Sequence, residues 1–493
     1  MNKSKLLLLV RANWPLLVIL GLAVFLRFYQ LEEFLHFAND EARDAYVVKE
    51  MIERDFIRLL GPPTTIGNFY LGPFFYYFLA PFYLIFNLAP VAGGWAVAAL
   101  DIITVGLIYF FTKKHFSTLT ARLAILLYVT SFWLNIYERW GWNPNVLPFF
   151  TILTLWLTSQ VFFSKKYRLI GIISLAAVVA LAGQAHAQGL WLLPLVLLLF
   201  IISKRAALLK KNVVRRNLLY AGLFGLIYLL VNLPLIIFEF QTGGQNSRAV
   251  INWILTVRES ISWLDRIEQG LGDFIQFTSQ LVLNKEAIGF VLLLFLLPSS
   301  YFIWRQHSCL KGLIWSTQSR QLWALRAILF LFGLVLSSFF LTAEKKYFHF
   351  FLLLAPVIFI YLGFLFAQVY RRWGWWSRTL VLALVVFLVS ANLLNTVTYW
   401  CNLKAGTQTG EFDLPLRDMQ AATNYIVANS CAQARVKAVG VEDEQQAFQY
   451  LFARAGRNVI WIEDCGGYEF VITRNLQEDG QRFGRLRLLE ENK

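Results

Sequence analysis

"WPLLVILGLAVFLRFYQ" (residues 14–30) is followed by the acidic "FANDEARDAYVVKEM" (residues 37–51), and these two segments indicate the architecture of the whole chain. An apolar run of about 20 residues can cross the hydrocarbon core of a bilayer as a helix. The whole chain is rich in apolar residues, with 58% hydrophobic residues and 17 Trp, 20 Tyr and 44 Phe among 493 residues. A water-soluble domain cannot bury that much apolar surface. The sequence therefore predicts a polytopic α-helical membrane protein.

The basic residues of the chain are concentrated between the apolar runs. The formal net charge is +15, which by itself is compatible with nucleic-acid binding. Six segments together hold 22 Lys and Arg and no Asp or Glu: 1–13, 112–122, 164–168, 203–217, 305–326 and 370–378. The positive-inside rule places such loops in the cytoplasm. The basicity therefore predicts membrane topology, with a cytoplasmic N-terminus, an extracytoplasmic C-terminus and no nucleic-acid partner. We expect a multi-pass protein of the plasma (inner) membrane.

This sidedness, with the apolar pattern, predicts about eleven spans: 12–29, 91–111, 119–137, 146–163, 169–185, 187–203, 218–238, 287–304, 324–342, 350–369 and 379–398. The apolar stretch 69–88 is expected not to cross, because crossing would move every later basic loop to the outside. Its Pro and aromatic content favours an interfacial or re-entrant segment.

The predicted outer surface holds the first outer loop (30–68) with the juxtamembrane segment 69–88, the large outer loop 239–286 and the chain from 400 onward. Apolar positions three and four apart in the large loop predict helices lying on the membrane surface. Residues 400–493 carry alternating helical and strand-like patterns and are expected to form a small soluble α/β module, separate from a transmembrane domain at 1–399. Cys431 and Cys465 of this module can pair on an oxidising side, although their spacing alone leaves the bridge open.

The acidic cluster after the first span is the strongest candidate for chemistry. Asp40 and Arg43 stand at i and i+3 of a predicted juxtamembrane helix and are expected to share a face. A carboxylate base beside a cation suits acid–base chemistry on an anionic substrate. The structural alternative is that Asn39 caps the helix and that Asp40 and Glu41 interact with its macrodipole.

Three other predicted outer turns carry polar residues of the same kinds: "ERWGWNPN" has Arg139 and Asn143, "GQAHAQG" has His186, and "TAEKKYFHFF" has Lys345, Lys346, Tyr347 and His349. His186 is equally a candidate for a hydrogen-bonded turn histidine. The two lysines contradict the positive-inside pattern, and binding of an anion would explain them. Asp101, deep in a predicted span, is either a buried structural contact or a functional group.

The arrangement resembles the GT-C glycosyltransferases, and within them the family 39-type enzymes: the protein O-mannosyltransferases and the bacterial aminoarabinose transferases. The resemblance rests on "NDEARDAY" after the first helix, on "GPPTTIGNFYLGPFFYYFLAPF", on "WNPNVLPFF" after an outer turn and on "KKYFHFFLLLAP" at a late helix. It covers roughly residues 10 to 400.

The resemblance implies transfer of a sugar from a polyprenyl-phosphate-linked donor to an acceptor hydroxyl on the outer face, with inversion. It implies that Asp40 is the catalytic base, that Glu41 and Arg43 are neighbouring substrate-binding positions, and that Lys345, Lys346 and Tyr347 face the lipid phosphate. No cofactor is predicted, and a divalent metal remains open. Expected partners are the lipid-linked donor, membrane lipids and an acceptor that is a protein, a lipid or a glycan.

Two alternatives to an enzyme remain. One is a multi-pass transporter or flippase of a lipid-linked or anionic substrate, a class in which broken helices and midmembrane polar groups are usual. The other is an outer-face scaffold that binds a lipid or peptide without catalysis. The gathering of polar residues at one face favours the enzyme.

Overall fold

The computed structural model describes residues 3–64, 68–164, 166–204, 211–260, 262–305, 319–341, 346–372, 374–408, 412–430, 433–441, 444–462, 470–474 and 480–490. The predicted site residue Lys345 and the cysteines Cys431 and Cys465 lie outside these ranges.

Helices make up most of the described chain. The first half contains α1 (Lys3–Phe28), α2 (Leu31–Phe34), α3 (Asn39–Glu53), α4 (Phe74–Ile85), α5 (Ala92–His115), α6 (Thr118–Thr130), α7 (Phe132–Tyr137), α8 (Leu147–Phe163), α9 (Arg168–Ala185) and α10 (Leu192–Lys204). The second half contains α11 (Lys211–Val231), α12 (Leu233–Gln241), α13 (Gln245–Ser260), α14 (Trp263–Val282), α15 (Ile288–Arg305), α16 (Arg320–Leu341), α17 (Ala355–Arg372), α18 (Gly374–Ala405), α19 (Leu416–Asn429) and α20 (Gln445–Arg454). Short 3₁₀ segments cover Asn143–Val146, Ala187–Trp191, Lys285–Ala287 and Phe348–Leu354.

The polytopic helical fold predicted from the sequence is confirmed. Six helical segments of the described chain are long and apolar enough to cross a membrane: Ala92–His115, Asn143–Phe163, Arg168–Ala185, Arg320–Leu341, Phe348–Arg372 and Gly374–Ala405. The pair Arg215–Val231 and Leu233–Gln241 counts as a seventh if it is one span bent by 64°. Shorter apolar helices occupy the other predicted spans, at Asn13–Phe28, Thr118–Thr130, Ala187–Ile202 and Ile288–Ser299. The total of eleven spans stays a prediction.

Helix α17 lies at the centre of the bundle and packs along α6. A Cβ placed on Gly363 of α17 would lie 2.8 Å from the backbone nitrogen of Ala124 and 2.9 Å from the carbonyl oxygen of Thr120. Only glycine allows the two helix backbones to approach this closely, as small residues do between membrane helices generally. Helix α6 also packs against α1 and α5. Helix α1, which precedes the acidic cluster, is thus fixed to the core of the bundle.

Asp101 of α5 forms a fully buried ion pair with Arg27 of α1. Arg27 Nε donates to Asp101 Oδ2 at 2.8 Å, and the Tyr128 hydroxyl donates to Asp101 Oδ1 at 2.7 Å. Both charged side chains are 0% exposed. Charges inside a membrane protein are costly unless they are paired. Of the two readings that the sequence left open for Asp101, the structure supports the buried contact.

The C-terminal module contains one five-stranded sheet with two helices. Its strands are β1 (Gln433–Val439), β2 (Asn458–Trp461), β3 (Phe470–Thr473), β4 (Gln481–Phe483) and β5 (Leu486–Glu490), in the order β2-β1-β3-β5-β4. Strand β1 pairs in parallel with β2 and β3, while β5 is antiparallel to β3 and β4. The predicted small α/β module is confirmed.

This module docks on the segment that follows the first helix. The Leu416 N–H donates to the Leu35 carbonyl at 2.8 Å, and the Gln446 N–H donates to Asn39 Oδ1 at 3.2 Å. Helix α20 packs against α3, where the ring of Tyr450 contacts those of Phe37 and Tyr46. The module therefore holds both ends of the short connection that leads into the acidic cluster.

Candidate active site

The ends of the helices and the C-terminal module enclose a cavity of about 1270 Å³, called the central cavity below. Its wall is built by the start of α3, the turns at 138–146 and 186–191, one face of α14, the segment 346–350 and the module. Turns that are far apart in sequence therefore meet at one end of the bundle. Seven of the ten predicted site residues line this cavity: Asp40, Arg43, Asn143, His186, Lys346, Tyr347 and His349.

Asp40 is held in place from two sides. Arg43 Nη1 donates to Asp40 Oδ1 at 2.6 Å, which confirms that the two side chains share a face of α3. The indole N–H of Trp142 donates to Asp40 Oδ2 at 3.0 Å. The Asp40 side chain is nevertheless 46% exposed, and it lines the cavity. A carboxylate that is oriented by two donors and still accessible is suited to accept a proton from a bound group.

Arg43 also binds a second carboxylate, which lies below Asp40. Its Nη2 is 2.8 Å from Oδ1 of Asp44, whose side chain is fully buried. Burial raises the pKa of Asp44 to about 7, and the Arg43 guanidinium acts in the opposite direction. The ion pair with the buried Asp44 thus fixes the orientation of Arg43 toward Asp40.

Glu41 lies buried at the start of α3. Its Oε2 accepts from the Ala38 N–H at 2.8 Å, the side-chain-to-backbone half of a capping box. It is buried and does not line the cavity, and burial raises its pKa to about 8. The expectation that Asn39 caps α3 is wrong, because Ala38 is the N-cap and Asn39 instead accepts from Gln446.

His186 is a hydrogen-bonded turn histidine, and it also lines the cavity. Its backbone is extended and its Nδ1 accepts from the Gln188 N–H at 3.2 Å, so it caps the 3₁₀ turn that follows. A Cβ on Gly189 would lie 2.0 Å from the Ala182 carbonyl oxygen, which explains why this turn contains glycine. Burial lowers the pKa of His186 to about 4. The neutral ring also lines the cavity.

Lys346 supplies a buried cation to the cavity wall. It is 5% exposed. Asp273 of α14 lines the same cavity, and its carboxyl has a pKa raised by burial and lowered in turn by the charge of Lys346. Helix α14, predicted to lie on the outer face, therefore contributes directly to the site.

Aromatic rings cover the wall between Asp40 and Lys346. The Trp142 ring contacts that of His349 with centroids 4.4 Å apart, and His349 contacts His186 at 5.5 Å and Tyr347 at 5.7 Å. Trp140 stacks on Trp142 with centroids 4.4 Å apart. The site thus has large apolar faces with a few polar groups, the usual composition of a small-molecule pocket.

Asn143 and Arg139 fix the turn that carries Trp142. Asn143 lines the cavity while its Nδ2 donates to the Ala185 carbonyl at 2.6 Å. Arg139 does not line the cavity. Its guanidinium donates to the carbonyls of Leu26 and Tyr29 at 2.8 and 2.7 Å, at the end of α1. The structure therefore places Arg139 at a helix terminus instead of beside the other predicted site residues.

Residues that the sequence reasoning did not single out complete the wall. His36 precedes α3, Asp273 lies on α14, and Asp413, Glu444 and Arg474 belong to the C-terminal module. Nothing local in the sequence distinguishes them from surface residues, because each reaches the cavity only through packing of segments that are distant in sequence. Across the described residues no three His, Cys, Asp or Glu side chains form a group that could hold a metal ion.

Comparison with solved structures identifies the fold. ArnT from Cupriavidus metallidurans bound to undecaprenyl phosphate matches with a TM-score of 0.57 and 14% identity over 97% of this chain and 98% of that chain. Its apo structure matches with a TM-score of 0.58 and 13% identity over the same shares. The archaeal oligosaccharyltransferase AglB from Archaeoglobus fulgidus, in complex with an inhibitory peptide and a dolichol-phosphate, matches with a TM-score of 0.56 and 11% identity over 94% of this chain and 70% of that one.

These similarities confirm the GT-C fold that the sequence motifs implied, and they extend it through the C-terminal module. No protein-family profile matches the sequence, and no curated protein matches it. The chain is thus assigned to the fold by its three-dimensional structure.

Proposed function

We propose that this chain is a membrane glycosyltransferase, similar to the family 39-type enzymes, that moves a sugar from a polyprenyl-phosphate-linked donor to an acceptor hydroxyl. The observation that carries the proposal is the accessible, doubly held carboxylate of Asp40 in a cavity that also contains the buried cation Lys346. Two of the structures that share the fold contain a polyprenyl phosphate, undecaprenyl phosphate in ArnT and dolichol-phosphate in AglB, which supports a lipid-phosphate donor.

The reaction needs a base and a cation on either side of the sugar. The Asp40 carboxylate takes the proton of the acceptor hydroxyl, and the acceptor oxygen forms a bond to C1 of the sugar. The bond between C1 and the phosphate oxygen breaks, and its electron pair leaves with the polyprenyl phosphate. Direct attack inverts the configuration at C1. The proton on Asp40 then passes to solvent.

Each group makes a definite contribution. General-base catalysis by a positioned carboxylate typically contributes ~10²–10⁴-fold to the rate. Lys346 stabilises the charge that develops on the leaving phosphate, as fixed cations do in phosphate-transfer sites. Arg43 orients Asp40, and the aromatic faces of Trp142 and His349 pack against the bound sugar. No cofactor enters this scheme.

A transporter or flippase is the second candidate, because α11 and α12 form a pair bent by 64°. Transporters often use broken helices to line their binding sites. One observation argues against a transporter or flippase: Asp101 in α5 forms a fully buried ion pair with Arg27 and does not line the central cavity. The functional groups of the cavity lie at the helix ends.

The reaction is tested by an outer-face transfer assay with the full-length protein in proteoliposomes. A panel of radiolabelled polyprenyl-phosphate sugars is supplied together with a membrane extract as the acceptor source, and the labelled product is analysed by mass spectrometry. We expect transfer that depends on the protein from at least one donor. Movement of the labelled lipid across the bilayer without transfer would instead establish the flippase.

The proposed orientation puts the central cavity outside the cytoplasm of a plasma (inner) membrane protein, with the N-terminus inside. In a variant without native cysteines, Arg248→Cys on α13 should react with a membrane-impermeant maleimide added outside. Lys166→Cys, in a predicted inner loop, should react only after the membrane is opened. The reverse labelling pattern would contradict an outer-face reaction.

A further inference from the structure

The C-terminal module forms part of the same cavity that contains Asp40 and Lys346. Asp413 lies just before α19, Glu444 just before α20, and Arg474 just after β3. These three residues are called the Arg474 cluster. The cavity therefore extends from the proposed catalytic carboxylate across to the C-terminal module.

The Arg474 cluster is joined by ion pairs, in which one guanidinium meets two carboxylates. Arg474 Nη1 donates to Asp413 Oδ1 at 3.1 Å, and its Nη2 donates to Glu444 Oε1. Arg485 approaches the second oxygen of Asp413 at 3.5 Å. The Asp413 and Glu444 side chains are about nine-tenths buried, whereas that of Arg474 is 29% exposed. A guanidinium already neutralised by two carboxylates is a poor site for a further anion, but the cluster can donate to and accept from hydroxyl groups.

Aromatic groups surround the cluster where the module meets the membrane helices. His36 contacts Trp140 at 4.8 Å and Phe412 at 5.0 Å between ring centroids, and Trp140 contacts Phe412 at 5.0 Å. All three line the cavity. Burial and the nearby Arg474 lower the pKa of His36 to about 4, so its ring is neutral. The indole N–H of the buried Trp140 has no hydrogen-bond partner among the described residues.

The charge of the whole cavity restricts the class of molecule that it accepts. The described lining residues include four carboxylates, Asp40, Asp273, Asp413 and Glu444, and three cations, Arg43, Lys346 and Arg474. The donor phosphate brings more negative charge. A polyanionic acceptor would therefore meet a wall with no excess of cations, at a cost from like charges that grows in a low-dielectric site.

We propose that the Arg474 cluster, with His36 and Trp140, binds the acceptor, and that this acceptor is an uncharged polyhydroxylated group such as a glycan. Hydroxyls donate to the carboxylates and accept from the guanidinium, while the rings of His36 and Trp140 pack against the carbon skeleton. The cluster determines which acceptor is used and does not take part in bond making. This inference rests on the proposed transferase function.

The test measures the two substrates separately in the full-length protein, with a radiolabelled polyprenyl-phosphate sugar as donor and serial dilutions of a membrane extract as acceptor. Arg474→Gln should raise the half-saturating amount of extract by at least ~10-fold, the loss expected when hydrogen bonds to a charged group are removed. The half-saturating donor concentration should stay within about twofold, because the cluster is assigned to the acceptor alone. Arg457→Gln, in the same module but not on the cavity wall, is the matched control and should leave both values unchanged.

Two further measurements separate the possible failures. If Arg474→Gln does not fold, Arg474→Lys is used, which keeps the charge but loses the two-pronged geometry. It should also raise the half-saturating amount of extract and leave the half-saturating donor concentration nearly unchanged. The labelled product is also fragmented and passed over an anion exchanger. A labelled fragment with several phosphates, or equal changes for both substrates, would overturn the acceptor assignment while transferase activity stands. Absence of transfer by the unaltered protein would instead overturn the proposed function itself.

Discussion

The indole N–H of Trp142 donates a 3.0 Å hydrogen bond to Oδ2 of Asp40, across 102 positions of sequence. It joins the first turn of α3 to the turn that follows α7. Arg43 holds the other carboxylate oxygen at 2.6 Å. The orientation of Asp40 therefore depends on its own helix and on a separate part of the bundle, and the carboxylate remains accessible between them.

Replacing Asp40 by Asn tests the base directly. Asn retains the size and an oxygen that accepts from Trp142, but it cannot take a proton. We expect turnover to fall by ~10² or more while donor binding is largely retained. The matched control is Glu50→Gln on the solvent side of the same helix, which should be silent. A fully active, normally folded Asp40→Asn protein would show that the carboxylate only stabilises the start of α3.

Glu41→Gln should affect stability more than catalysis. Burial raises the pKa of Glu41 from 4.5 to about 8. Between these two pH values the folded protein holds a proton that the unfolded chain releases, so this residue makes stability fall as pH rises from about 4.5 to about 8, by up to ~1.4 kcal/mol per pH unit. Gln keeps an acceptor for the Ala38 N–H and has no proton to lose.

The melting temperature in detergent at pH 5 and at pH 8 measures this difference. The advantage of Glu41→Gln over the unaltered protein should be larger at pH 8 than at pH 5, and its turnover should fall much less than that of Asp40→Asn. Equal advantages at both pH values would mean that Glu41 is not protonated in the folded state.

Much of the fold follows from local sequence. Hydrophobic runs and basic loops predict the membrane helices and their orientation. Both features are local, because each is contained in a segment of about 20 residues or fewer. The spacing of Asp40 and Arg43 predicts their contact, because residues three apart on a helix share a face. The outer turns are all predicted to lie on one side of the membrane. His186, Lys346 and His349 are therefore expected on the same side as Asp40.

The contacts that depend on the docking of distant segments could not be predicted from the sequence. Arg139 has the same residue type and setting as a substrate-binding cation, and only the position of α1 shows that its donors meet the carbonyls of Leu26 and Tyr29. Arg474 lies more than 400 positions from Asp40, yet both line one cavity. Neither the partner of Asn39 nor the role of the module can be read from periodicity, since both arise between distant segments.

Lys346→Gln should weaken donor binding. Lys346 is 5% exposed, so its charge acts at short range and with little screening by solvent. With undecaprenyl phosphate as the probe, we expect the dissociation constant to rise at least ~10-fold, the scale of one lost charge-assisted hydrogen bond.

Lys404→Gln, at the exposed end of α18, is the control and should bind as before. The combined Lys345→Gln and Lys346→Gln protein should bind no better than the single variant. Unchanged affinity in that double variant would remove both lysines from the phosphate site.

The buried pair between Arg27 and Asp101 should be essential for folding and not for chemistry. Asp101→Asn leaves the Arg27 charge without its counter-ion inside the bundle, where loss of one partner typically costs ~3–5 kcal/mol. We expect a large drop in melting temperature, with the remaining folded protein showing a normal half-saturating donor concentration.

Replacing both partners, Arg27→Met with Asp101→Leu, should be less destabilising than Asp101→Asn alone, because neither charge of the pair is then left buried without its partner. Lys49→Gln, which breaks the surface pair with Glu53 on α3, is the control and should change stability by ~1 kcal/mol or less. A melting temperature of Asp101→Asn equal to that of this control would contradict a structural role for the pair.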